Sequence, residues 1–92
     1  MAILTATEAA QTLRTDESDA TMLGLLPLVD NYIQEATGRD WSSDLEIDPG
    51  AKAAARMLLT MWYENPAMIG SGMGELPHGL TAVLAQLEAK AL

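Results

Sequence analysis

The sequence predicts an all-α domain: a small four-helix bundle-like fold with a long flexible loop between the third and fourth helices. Three observations predict it. Apolar residues recur at helical three-and-four spacing through most of the chain. Caps and breakers punctuate those stretches where helices should begin and end. The one alternating stretch, Leu45 and Ile47 among Asp44, Glu46 and Asp48, has no second strand to pair with and reads as an extended connection. Ninety-two residues hold one core, so residues 1–92 are read as a single helical domain.

The first helix is short. Thr5-Ala6-Thr7-Glu8 has the spacing of a capping box, in which hydroxyl and carboxylate each satisfy a backbone N–H, and the helix should run to about Arg14 with Ala9, Ala10 and Leu13 inward. Asp16 to Asp19 form an acidic connection that also caps the second helix. That helix spans about Ala20 to Thr37, with Met22, Leu25, Leu26, Val29, Tyr32, Ile33 and Ala36 on its apolar stripe and Gly38 as its left-handed C-cap. Pro27 lies inside that stretch and predicts a kink or a fresh start. Trp41, in the connection from Arg39 to Ile47, is expected to plug a gap between helices.

The third helix carries the clearest pattern. Asp48 caps it, Pro49 occupies the first turn where a missing N–H costs nothing, and Asn65-Pro66 stops it. Its core face reads Ala51, Ala54, Ala55, Leu58, Leu59 and Trp62, widened by Ala53, Met57 and Met61, which predicts a helix buried on several sides. Pro66 to Gly79 then holds four glycines and the apolar Met68, Ile69, Met73 and Leu76, a candidate partner surface. The last helix should run from about Leu80 to Ala91, with Leu80, Val83, Leu84 and Leu87 inward.

Composition narrows function mostly by exclusion. No cysteine means no disulfide, thiolate nucleophile or cysteine-type metal site, which fits a reducing compartment. Thirteen acidic against five basic residues give a net charge of −8, which repels nucleic acid and anionic lipid. The start, Met1 to Thr5, has no basic region ahead of a long apolar run, so neither a signal sequence nor a membrane span is expected there. His78 stands alone and has no triad partner at a suggestive spacing. Asp44-x-Glu46-x-Asp48 opens like a calcium loop, but Gly50 falls one place late and Ala55 stands where a bidentate glutamate is needed. Gly70-x-Gly72-x-Gly74 lacks both the Gly-Lys of a phosphate loop and a preceding strand. No catalytic residue, metal site or cofactor is assigned, and an enzyme is not expected.

In their order and spacing the segments resemble the phage head–tail connector family, small helical adaptors that form a ring beneath the portal. The resemblance rests on Leu13-Arg14, the acidic Asp16 to Asp19, Ile33-x-x-x-Thr37-Gly38-Arg39, Trp62-Tyr63-Glu64-Asn65, and Leu76-Pro77-x-Gly79-Leu80. Pro27 and Pro66 depart from the family pattern and bear on the local helix path. The resemblance implies a structural virion protein at the head–tail junction, assembled in the host cytoplasm as a homo-oligomeric ring of about a dozen subunits. Its implied partners are the portal and the next head-completion or tail protein, with DNA passing through the lumen without specific binding and with no membrane. Two other classes fit the composition: an acidic binding module such as a DNA mimic or inhibitor, recognised by a stable monomer that binds a basic protein, and an acyl-carrier-like protein, recognised by a prosthetic group on Ser42 or Ser43.

Overall fold

Local chemistry sets nearly every helix boundary in the computed structural model, which describes residues 2–69 and 78–91. Helix α1 spans Ala6–Leu13. The Thr5 hydroxyl accepts from the Glu8 amide at 3.1 Å and the Glu8 carboxylate accepts from the Thr5 amide at 3.0 Å, which closes the capping box. Arg14 ends the helix in the left-handed region at φ 57°, a conformation that glycine usually supplies. Helix α2 spans Ala20–Thr37, capped by the Asp19 carboxylate on the Met22 amide and closed by Gly38 at φ 81°.

Pro27 does not restart α2, which runs through it as one helix. The proline lies on the exposed side with Leu23 and Leu28, so the backbone bond it deletes faces solvent, while Met22, Leu25, Leu26 and Val29 keep the opposite side buried. After Gly38 the chain makes a 3-10 turn over Trp41–Ser43. Trp41 is buried, as expected of a plug: its indole N–H donates to Thr37 Oγ1 at 2.9 Å, Thr37 in turn donates to the Ile33 carbonyl at 2.7 Å, and the Arg39 guanidinium lies 4.5 Å above the ring. There is no strand among the described residues: residues 44–48 are a connection, as the sequence suggests, but one that bends over residues 44–46 instead of running extended.

Helix α3 spans Pro49–Glu64, with Asp48 accepting from the Gly50 amide at 2.7 Å and Pro49 in the first turn. A second 3-10 turn, Pro66–Met68, comes next. Helix α4 spans His78–Ala91 and starts two residues ahead of Leu80. The Pro-x-Gly pattern before Leu80 reads as a breaker, yet proline is also common where a helix is entered.

Helices α2 and α3 each touch the other three helices, and α3, which packs on them more extensively, holds the centre of the bundle. Ala51, Ala54, Ala55, Leu58, Leu59 and Trp62 are all buried, and Met22, Leu25, Val29, Ile33, Leu80, Leu84 and Leu87 pack around them. Met57 does not widen the core: it is 42% exposed, because it falls beside Arg56 on the helix rim. Ile3 and Leu4 enter the core ahead of α1, anchored where the Ile3 amide donates to Asp30 Oδ1 at 3.2 Å.

Helices α3 and α4 run antiparallel. Lys90 Nζ sits 3.3 Å from Asp48, a methyl on Gly50 would press at 3.4 Å on Leu87, and a methyl on Gly79 would lie 3.6 Å from Met57 at the other end. Two polar links tie the smaller elements onto α3. Lys52 Nζ contacts both Glu8 oxygens at 2.6 and 2.7 Å, and Tyr63 donates its hydroxyl to Asp19 at 2.6 Å.

Candidate interaction surface

Most carboxylates that could do chemistry are already engaged in structure. Asp44 pairs with Arg39 at 2.6 Å, while Asp48 caps α3 and faces Lys90. Among the described residues, only Glu46 of the three acids in the calcium-like stretch is uncommitted, and no group of three metal-ligating side chains occurs. Asp19 caps α2 while accepting from Tyr63 and Thr15; the Tyr63 hydroxyl is the main cause that lowers its pKa, with the Met22 amide second. The hydrogen bond from Lys52, joined by the Thr5 amide, holds Glu8 at about 2. Asp30 moves the other way, raised by desolvation under the N-terminal segment, against which the Ile3 amide works.

The two serines differ in reach. Ser42 is buried and gives both its amide and its hydroxyl to Asp40 Oδ1, at 3.0 and 2.5 Å. Ser43 is exposed, with its hydroxyl donating to the Asp40 carbonyl at 3.0 Å. His78 is the first residue of α4. Its side chain lies outside the described part of the structure, as do Gly70, Gly72 and Gly74.

What the surface offers instead is apolar area. Of the four residues singled out as a partner surface, Ile69 is described and is 39% exposed. Met73, Leu76 and the side chain of Met68 lie outside the described residues. Ile69 borders a shallow depression of about 230 Å³ with Leu28, Asn31, Tyr32, Glu35 and Trp62. Trp62 itself is buried and meets Tyr32 edge-on at 5.4 Å, and its indole N–H has no hydrogen-bond partner among the described residues. The structure therefore joins Ile69 to Leu28 of α2, which sequence reasoning passes over.

Sequence reasoning also misses a second feature. Between the C-terminal half of α3 and the start of α4 lies an open cleft of about 500 Å³, lined by Arg56, Met57, Thr60, Met61, Glu64 and Leu80. At the opposite end of α3, Leu45 is fully exposed. The available signal is position relative to the stripe: Leu23 and Leu28 are leucines off the buried face of α2, and Met57 borders the polar Arg56. Such residues are apolar without serving their own helix's core. No helix among the described residues is long and apolar enough to cross a membrane. No family model, curated protein or solved structure matches the chain.

Proposed function

We propose that this chain is a head–tail connector subunit of a tailed phage: a structural virion protein that oligomerises as a ring beneath the portal and carries the next head-completion or tail protein. The observation that carries the reading is the order of its landmarks. Arg14, Gly38 and Asn65, each within a segment that resembles the connector family, are the residues that close α1, α2 and α3. Three of the five resembling segments thus coincide with helix ends of the fold.

Two physical features support the reading. Leu28 and Ile69 leave apolar area around one depression, which a ring can cover. The net charge of −8 suits a lumen through which DNA slides, since retention needs cationic contacts to phosphate. In this role the protein acts by assembly and not by catalysis.

Negative-stain microscopy of the concentrated protein tests the proposal: rings with a central opening support it. Portal and capsid genes next to the coding gene are the expected genomic context. A chain that stays monomeric, in a gene neighbourhood without head genes, overturns the reading.

A further inference from the structure

We infer that successive copies of this chain join head to tail, with Leu45 of one copy seated in the α3–α4 cleft of the next. The inference deepens the ring reading and rests on it for closure of the assembly; the contact itself stands on the two surfaces.

Among the described residues, Leu45 is a knob without a socket in its own subunit. It is fully exposed in the connection between the Trp41–Ser43 turn and α3, although the neighbouring Trp41 is buried and Ile47 packs against the core. The cleft is a socket of suitable chemistry. Its floor and walls are Met57, Thr60, Met61 and Leu80, and unbranched methionines adapt to an incoming side chain.

Knob and socket sit at opposite ends of one helix. Leu45 lies three residues before Asp48, the cap of α3, whereas Met57 to Met61 lie beside the start of α4. From Asp48 to Thr60 the helix axis advances about 18 Å, so knob and socket are separate patches. Unlike patches of identical chains close a pair only if each copy's knob reaches the other's socket at once; joined head to tail they make a ring or a filament, and a wild type that stops at a dimer would overturn head-to-tail joining.

Charge sets the orientation. Leu45 is flanked by Asp44, already paired with Arg39, and by the exposed Glu46, which has no ion pair among the described residues of its own subunit. At one end of the socket stands Arg56, whose partner Glu8 is closer to Lys52, and at the other end stands Glu64. Eight helical residues, about 12 Å, separate these two charges. The acidic loop therefore enters with Glu46 toward Arg56 and away from Glu64.

The test uses two variants of the full chain. Leu45→Asp removes the knob and keeps the socket; Met57→Glu keeps the knob and spoils the socket by placing a like charge against Glu46. Both positions are exposed, so thermal melting of each variant should match the wild type. In sedimentation velocity over a concentration series, the wild type should form species larger than a dimer and each variant alone should stay monomeric. An equimolar mixture should form a heterodimer and stop there, because only one knob and one socket survive between them. Rings from either variant alone would overturn the contact and leave the ring reading standing. A monomeric mixture alongside an oligomeric wild type would do the same. A wild type that stays monomeric throughout and forms no rings by microscopy would overturn both.

Discussion

The two ends of α3 solve opposite problems. At its N-terminal end small residues, Ala51, Ala54 and Ala55, are fully buried, and a methyl on Gly50 would crowd Asp48 Oδ1 at 3.0 Å while touching Leu87 at 3.4 Å. The Lys52–Glu8 and Asp48–Lys90 contacts fasten α1 and α4 around that end. At its C-terminal end the residues are large, and the helix is bordered by a cleft of about 500 Å³ on the α4 side and a depression of about 230 Å³ on the α2 side. At its N-terminal end the helix's own packing is completed within the subunit, and in the loop before it Leu45 is the large apolar residue that stays exposed. The other end keeps apolar surface that a neighbour can use.

Between the two ends, Leu58 should mark the greatest loss of stability. It is fully buried at the centre of the bundle, so Leu58→Ala removes packing that no rim residue replaces. Urea denaturation followed by tryptophan fluorescence should register a loss of about 2–5 kcal/mol. Overpacking then separates the ends directly. Ala54→Leu has no room at the closed end and should cost about 1–3 kcal/mol in the same assay. Thr60→Leu extends into the open cleft and should change stability by less than about 0.5 kcal/mol. Equal costs at the two positions would erase the distinction between the ends.

How far this division is legible in the sequence depends on whether a residue's role is decided locally. Thr5 with Glu8, Asp19, Gly38, and Asp48 with Pro49 act within a few residues of their own position, and each cap stands where the sequence predicts it. The central position of α3 is legible too, since an apolar circumference needs neighbours on several sides. Ile3 and Leu4 belong to no helical stretch, and Leu45 alternates in step with Ile47, so nothing local says that the first two are buried and that Leu45 is exposed while Ile47 packs on the core. The burial of Trp41 is expected from sequence, but its bond to Thr37 depends on how α2 ends and the chain turns. The cleft beside Met57 exists only once α4 lies antiparallel to α3, and the long-range links Tyr63–Asp19 and Lys52–Glu8 each span 44 residues. Helical spacing reports one helix at a time and carries no such information.

Those links predict smaller effects. Tyr63→Phe removes the hydroxyl that Asp19 accepts and should lower the urea midpoint slightly, since the pair is partly open to solvent. It should also let the Asp19 pKa rise toward its ordinary value, measurable by carboxylate NMR titration. The Glu8 contact predicts a pH dependence of definite sign. Its folded pKa of about 2 lies below the ordinary 4.5, so its contribution is complete above pH 4.5 and is lost as pH falls toward 2. Asp30, raised by burial, opposes this trend, because protonating it favours the folded state. Glu8→Gln should flatten the urea midpoint across that window, and added salt should weaken the wild-type slope because the pair is open to solvent on one side.

The smallest effect on stability is expected where the effect on assembly should be greatest. Leu28 and Ile69 border the same depression at the open end and are 46% and 39% exposed. Replacing both with serine removes apolar area that the isolated subunit leaves partly in water, so subunit melting should stay within about 0.5 kcal/mol of the wild type. In an assembly that covers the depression, the same replacement forfeits about 25 cal/mol for each Å² of apolar area no longer buried, and the loss repeats at every copy around the ring. Ring formation scored by microscopy should therefore fail while the subunit remains folded. If melting drops by more than about 1 kcal/mol and the folded fraction still assembles, Leu28 and Ile69 belong to the finished part of the fold, as the closed end of α3 does.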